Sequence, residues 1–162
     1  MQEATTRSLA FSLIFDNHRI PEGDRSAYSL HMTNPKRILF VCVENSNRSQ
    51  MAEAFARMHA AGSVEAFSAG SRPSGKVNPK AIETMSELGY DLTQHSSKSL
   101  DEIPDVEYDF VATMGCGDEC PFIRAKRHED WDIPDPKDMP LSEFRTIRDL
   151  IESKVTTLLT EL

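Results

Sequence analysis

Cysteine is scarce in this chain, and long apolar runs and an excess of basic residues are missing. Three cysteines among 162 residues exclude a disulfide-dense secreted scaffold and favour reactive thiols in a reducing cytoplasm. No apolar run approaches the roughly 20 residues that a membrane-spanning helix needs. The net charge of -8 argues against nucleic acid or an anionic membrane as a partner. Any anion site must therefore be built locally, from backbone donors and a few placed cations.

The length suits one soluble domain with a single core. We expect residues 1–35 to form a loosely ordered extension and residues 36–162 to form the catalytic domain. The apolar stretch "RSLAFSLIF" (7–15) is not expected to act as a signal peptide, because Glu3 precedes it and no small-x-small cleavage site comes after it. Met32 is a candidate for the natural start. We expect a cytoplasmic monomer.

Strands alternate with helices along the chain, which predicts an α/β fold. The expected architecture is a doubly wound three-layer sandwich, with a central four-stranded parallel sheet and helices on both faces. Continuous apolar runs indicate buried strands, and we assign them to "RILFVCV" (37–43), "VEAFSAG" (64–70), "YDFVATM" (108–114) and "WDI" (131–133).

Helical spacing of apolar residues predicts three helices. The first carries Met51, Phe55 and Met58. The second begins at an Asn78 cap followed by Pro79, and the last begins near Ser142. Their remaining apolar stripes consist of Ala81, Ile82, Met85 and Leu88 in the second helix, and Phe144, Ile147, Ile151, Val155, Leu158 and Leu162 in the last.

Three reactive side chains lie at or just after the ends of predicted strands. Cys42 ends the first strand, Cys116 follows the third, and Asp135 follows the fourth. Because sites in such folds form outside the carboxyl ends of the strands, we expect these three groups at one edge of the sheet. Most of the five histidines are expected at the surface.

The segment "FVCVENSNRSQMAE" (40–53) places a thiol and a guanidinium at a strand-to-helix turn. A thiol has a pKa of about 8.5 and is mostly protonated at neutral pH, but a helix N-terminus favours the thiolate. The same backbone donors can surround an oxyanion. Arg48 adds a planar two-point clamp, Ser49 can donate to the thiolate, and Asn45 suits a left-handed backbone position or a side-chain hydrogen bond. The predicted oxyanion-binding residues are Val43, Glu44, Asn45, Ser46, Asn47, Arg48 and Ser49.

The segment "VCVENSNRSQMAEAF" resembles the active-site loop of the low-molecular-weight protein tyrosine phosphatases and the related thiol-coupled arsenate reductases. The resemblance extends through "SAG" (68–70), "GCGDECP" (115–121) and "IPDP" (133–136) to the last helix. It implies Cys42 as nucleophile, Arg48 as oxyanion clamp, Ser49 as thiolate donor and Asp135 as general acid. Asp138 lies close to Asp135 in sequence and is the alternative acid.

Two positions depart from the family pattern. Glu44 replaces a common glycine, and its carboxylate would weaken anion binding unless it points to solvent. Asn47 stands where a second cysteine is frequent, which excludes a disulfide within the loop.

The pair Cys116 and Cys120 favours the reductase branch. In the expected relay, Cys116 attacks a Cys42–arsenic adduct, and Cys120 then attacks Cys116 to leave a disulfide for an external reductant. "RSQMAE" also looks more like the reductases, since phosphatases generally place proline after the serine. Lys137 replaces an aromatic residue that would hold a phosphotyrosine ring.

The expected function is therefore arsenate reduction, without a bound cofactor and with thioredoxin, glutaredoxin or a small thiol as the electron donor. A phosphatase acting on phosphate monoesters and a non-catalytic oxyanion or redox sensor remain alternatives. A zinc site is not favoured, because Cys116, Cys120 and His128 lack a fourth ligand and paired spacing.

Overall fold

The computed structural model describes residues 34–115 and 122–162. The expected extension up to residue 33, with Met32, and both Cys116 and Cys120 lie outside the described residues. The elements in chain order are β1 (Lys36–Cys42), α1 (Arg48–His59), β2 (Val64–Gly70), α2 (Pro79–Ser86), two 3₁₀ helices (Leu92–Gln94 and Leu100–Glu102), β3 (Phe110–Thr113), β4 (His128–Asp130) and α3 (Leu141–Glu161).

The four strands form one sheet in the order β2-β1-β3-β4. Each neighbouring pair is parallel, so the predicted four-stranded parallel sheet is confirmed. β1 lies inside the sheet, with β2 on one side and β3 on the other. The chain therefore reverses its winding direction beside β1, and a crevice forms at the carboxyl end of that strand.

Side chains of β1 point alternately to two apolar clusters, which is why the whole strand is hydrophobic. On one face, Ile38 and Phe40 pack with residues of α1, α2 and α3. On the other face, Leu39 and Val41 pack with Leu100 of the second 3₁₀ helix and with neighbouring loop residues. None of the helices in these two described stretches is long and apolar enough to span a membrane.

The fourth strand was predicted at the wrong residues. β4 is His128–Asp130, and its residues pair with Val111, Ala112 and Thr113 of β3. This edge strand is polar and largely exposed, so it gives no hydrophobic signal. Trp131 and Ile133 are buried because they pack against the core after the strand has ended, and the Trp131 ring lies 5.8 Å from that of Phe40.

Three smaller boundaries also differ from the predictions. α2 ends at Ser86, and Leu88, placed in its apolar stripe, is exposed. Leu162, assigned to the stripe of the last helix, is exposed as well. β3 is shorter than 108–114. The predicted start of α2 is confirmed, since the Asn78 side chain accepts a 2.9 Å hydrogen bond from the Lys80 amide.

A buried guanidinium joins α2 to α3. Arg148 Nη1 donates to the Thr84 carbonyl and to the Glu87 carboxylate, both at 2.9 Å. Arg145 donates to the same carboxylate from a more exposed position. The Arg145 hydrogen bond is the largest cause that lowers the pKa of Glu87 to about 2, and Arg148 adds to it.

We predict that Arg148→Met lowers the free energy of unfolding by about 1–3 kcal/mol, because a buried carbonyl loses its donor. Urea unfolding provides the measurement. Arg145→Met is the matched control, and loss of this more exposed ion pair should lower the free energy of unfolding less. Equal losses in the two variants would contradict a special role for the buried residue.

Candidate active site

The strand-to-helix turn lies at the crevice beside β1. Cys42 is the last residue of β1 and is buried, and Arg48 is the first residue of α1. α1 begins without a side-chain capping hydrogen bond and without an acidic residue in its first turn. Helix starts normally carry a capping side chain and an acidic residue, because backbone N–H groups there are unpaired and the dipole is positive. This helix start therefore has the electrostatic character of an anion site.

Two glycines let neighbouring segments approach the turn closely. A Cβ atom at Gly70, the last residue of "SAG", would lie 2.6 Å from the Val43 carbonyl oxygen and 2.9 Å from the Asn45 amide nitrogen. A Cβ atom at Gly115 would lie 2.9 Å from Arg48 Nη1, and Gly115 has a φ of +72°. Larger side chains would displace the turn or its guanidinium.

Hydrogen bonds join Ser49 to Cys42 and to Asn45. Cys42 Sγ lies 3.0 Å from Ser49 Oγ. Asn45 Nδ2 donates to Ser49 Oγ at 2.8 Å and to Ser68 Oγ at 2.9 Å. Ser49 Oγ accepts from the amide and keeps its own hydrogen, which it can donate to the Cys42 sulfur. Asn45 has a φ of +46°, so both properties expected of this residue are found.

Arg48 connects the turn to the segment after β4. Its guanidinium donates to the Ile133 carbonyl at 3.0 Å and to an Asp135 carboxylate oxygen at 3.1 Å. The Arg48 side chain is 7% exposed, whereas that of Asp135 is 45% exposed. A partly open carboxylate thus lies at the mouth of the site, in contact with the buried cation.

Behind the turn lies a buried histidine that was not among the predicted site residues. The His95 side chain is 4% exposed; its Nδ1 lies 2.9 Å from Gln50 Oε1, and its Nε2 lies 2.8 Å from the Tyr90 hydroxyl. Burial lowers the pKa of His95, so the ring is neutral at pH 7. Nδ1 then donates to Gln50, and Tyr90 donates to Nε2.

Gln50 connects His95 to the turn through hydrogen bonds. Its Nε2 donates to the Asn45 side-chain oxygen at 2.9 Å and to the Asn45 carbonyl at 3.1 Å. Among the histidines of the described residues, His59 and His128 are exposed, as expected for most histidines of this chain, whereas His95 lies in the interior. No local sequence pattern could identify His95, because its partner Gln50 lies 45 positions earlier.

A buried carboxylate completes the support of the turn. Glu53, whose side chain is 2% exposed, accepts a 2.5 Å hydrogen bond from Ser68 Oγ. Arg57 and Lys98 compensate its charge, the latter at 3.7 Å. Because Ser68 donates its hydrogen to Glu53, its oxygen accepts from Asn45, and this hydrogen bond holds Asn45 in place.

Among the predicted site residues, Cys42 contacts Ser49 and Arg48 contacts Asp135. The turn between Cys42 and Arg48 consists of the other predicted oxyanion-binding residues, Val43, Glu44, Asn45, Ser46 and Asn47. The carboxylate in contact with Arg48 is that of Asp135. Cys116 and Cys120 lie outside the described residues. Within residues 34–115 and 122–162, no three His, Cys, Asp or Glu side chains converge as metal ligands.

Sequence comparison agrees with this geometry. The family described as "Low molecular weight phosphotyrosine protein phosphatase" matches residues 37–162. The chain belongs to this family. The match includes the whole strand-to-helix turn and the segment that carries Asp135.

Several arsenate reductases are similar to the chain. The glutaredoxin arsenate reductase of Synechocystis sp. is 36% identical over 130 residues, which cover 78% of this chain and 98% of that protein. A solved structure of an arsenate reductase in the phosphate binding state is 36% identical, over 78% of this chain and 98% of that one, with a TM-score of 0.70. A thioredoxin-dependent arsenate reductase of Corynebacterium glutamicum is 32% identical, with a TM-score of 0.65, over 81% of this chain and 64% of that one.

We predict that His95 makes the folded protein acid-sensitive. Since burial lowers its pKa in the native state, the unfolded chain binds the proton more readily. Stability should therefore fall as the pH drops below the ordinary histidine value of about 6.5 and should level off below the lowered native pKa. His95→Gln should flatten this part of the urea-unfolding profile. The matched control His128→Gln should keep the slope, and an unchanged slope in His95→Gln would contradict the assignment.

Proposed function

We propose that the protein is an arsenate reductase that uses Cys42 as its nucleophile. The observation that carries the proposal is the 36% identity, over nearly the whole of the relative, to a protein named as an arsenate reductase. The geometry supports it, because Cys42 Sγ contacts Ser49 Oγ at one end of the turn and Arg48, in the same turn, contacts the Asp135 carboxylate. A tetrahedral oxyanion matches the donor set of a helix N-terminus and an arginine.

The first step joins sulfur to arsenic. The Cys42 thiolate, which accepts the hydrogen bond from Ser49, attacks the arsenic atom of arsenate. An As–O bond breaks, and Asp135 supplies the proton with which that oxygen leaves as water. Arg48 binds two of the remaining oxygens and holds the adduct in line.

The second half of the reaction reduces the adduct. Cys116 attacks Cys42 Sγ, the S–As bond breaks, and its electron pair remains on arsenic, which leaves as arsenite. Cys120 then attacks Cys116, which frees Cys42 and produces a Cys116–Cys120 disulfide. Arsenic gains two electrons, and the two thiols lose them.

An external thiol system must reduce the final disulfide. One relative is named for glutaredoxin and another is described as thioredoxin-dependent, and both donors exchange thiols with disulfides. We propose a dithiol protein of this kind as the partner, in the cytoplasm, and no tightly bound cofactor.

Phosphate-ester hydrolysis is the second candidate. The family description names a phosphotyrosine phosphatase, and that reaction also needs a nucleophile, an anion clamp and an acid. Against it, the mouth next to Asp135 carries Lys137 rather than an aromatic ring that would hold a phenyl group.

One assay separates the candidates. Arsenate is supplied with thioredoxin or glutaredoxin systems, and p-nitrophenyl phosphate is supplied in parallel. For a reductase we expect multiple turnovers of arsenate that are lost in Cys116→Ser and in Cys120→Ser. Ester hydrolysis that survives both changes, without arsenate turnover, would instead identify a phosphatase. Stoichiometric thiol oxidation without either turnover would identify a sensor.

We predict that Asp135→Asn slows the reaction of Cys42 with arsenate by about 10²–10⁴-fold, because the leaving oxygen loses its proton donor. Single-turnover measurements of adduct or arsenite formation test this. Asp138→Asn is the matched control and should react at nearly the wild-type rate. If only the Asp138 variant were slow, the role of acid would move to that residue.

A further inference from the structure

A carboxylate on the rim of the anion site has a partner that is distant in sequence. Glu44 is the second residue after Cys42, and its side chain is 31% exposed. It lies 2.5 Å from Lys137 Nζ and accepts a 3.3 Å hydrogen bond from Ser46 Oγ. The carboxylate therefore does not simply point to solvent, the condition under which it was expected to be harmless.

Lys137 belongs to the segment that carries the proposed acid. Its backbone amide donates to Asp135 Oδ1 at 3.2 Å. Lys80 Nζ donates to the Met139 carbonyl at 2.6 Å and to the Lys137 carbonyl at 3.4 Å. The segment is thus anchored from behind by Lys80, and the Lys137 side chain joins its outer side to the anion-binding turn.

Glu44 and Lys137 each stabilise the charged form of the other. The hydrogen bond from Lys137 is the largest cause that lowers the pKa of Glu44, and the same bond raises the pKa of Lys137. Both groups are charged at neutral pH, so the pair adds no net charge at the mouth. Loss of either partner alone changes the charge beside the bound anion by one unit.

We propose that the Glu44–Lys137 ion pair determines how anions enter the site: Lys137 cancels the repulsion between Glu44 and a doubly charged oxyanion, and it holds the Asp135 segment against the turn. Lys137 is in this sense a positioning residue. The inference rests on the proposed function only in taking the turn at Cys42 as an oxyanion site.

The test measures anion binding without turnover. Inorganic phosphate is titrated against alkylation of Cys42 by iodoacetamide, and modification of the Cys42 peptide is monitored by mass spectrometry. The variants are Lys137→Met, Glu44→Gln, the double variant and Lys137→Arg. Lys76→Met is the matched control, because Lys76 lines the same groove as Glu44 and Lys137 and its removal changes the charge equally.

Lys137→Met should raise the half-protecting phosphate concentration by about 1.5- to 5-fold, as expected for a partly exposed ion pair. Glu44→Gln should suppress this defect in the double variant, Lys137→Arg should bind as the wild type does, and Lys76→Met should shift binding less. A double variant that binds phosphate as weakly as Lys137→Met does would mean that Glu44 does not repel the anion, and it would overturn charge cancellation. Charge cancellation would also be overturned if Lys137→Met caused no shift in the half-protecting concentration, or if phosphate did not protect Cys42 in the wild type.

The positioning role has its own measurement. At saturating arsenate, the single-turnover rate should fall by up to about 10²-fold in both Lys137→Met and the double variant, because neither can fasten the Asp135 segment. Lys137→Arg should restore the rate. A wild-type rate in the double variant would remove the positioning role. If phosphate protects as expected but the wild type does not turn over arsenate, the proposed function fails while the role of the pair in anion binding stands.

Discussion

The arrangement depends on a buried cation at the positive end of a helix. Arg48 begins α1, where the dipole disfavours a guanidinium, and no capping side chain or acidic residue offsets it there. The Ile133 carbonyl and the Asp135 carboxylate satisfy the guanidinium instead. The need to balance this cation therefore brings the segment after β4 to the carboxyl end of β1, and the proposed acid comes with it to the nucleophile.

A helix start of this kind can bind an anion only if its loop keeps one shape, and the buried polar groups behind it provide that constraint. Asn45 in a left-handed conformation uses both amide hydrogens on Ser49 and Ser68, while Gln50 and the neutral His95 fix its side-chain oxygen. Each donor in this network faces a defined acceptor. The donors are thus already oriented before an anion arrives, which is the condition for strong electrostatic stabilisation of a transition state.

The sequence predicted the features that depend on local pattern and not those that depend on distant partners. β1, β2, the capped start of α2 and the long last helix carry strong apolar periodicity or turn signals, and they lie close to where they were expected. The polar edge strand β4 was misplaced, because its backbone pairing leaves no apolar pattern. His95 and the Glu44–Lys137 contact could not be inferred, since each depends on residues 45 or 93 positions away.

Hydrolysis and reduction on this fold diverge only after the first covalent bond to sulfur has formed. Both reactions need an ionised sulfur, an anion clamp and a proton donor, and so the site proposed at Cys42 does not by itself distinguish them. The choice must therefore depend on what else reaches the sulfur. A mouth framed by Glu44 and Lys137 offers paired charges rather than an aromatic wall, which suits a small inorganic oxyanion better than an aryl ester. A second thiol that attacks the sulfur leaves two electrons on arsenic, whereas water that hydrolyses the adduct leaves the oxidation state unchanged.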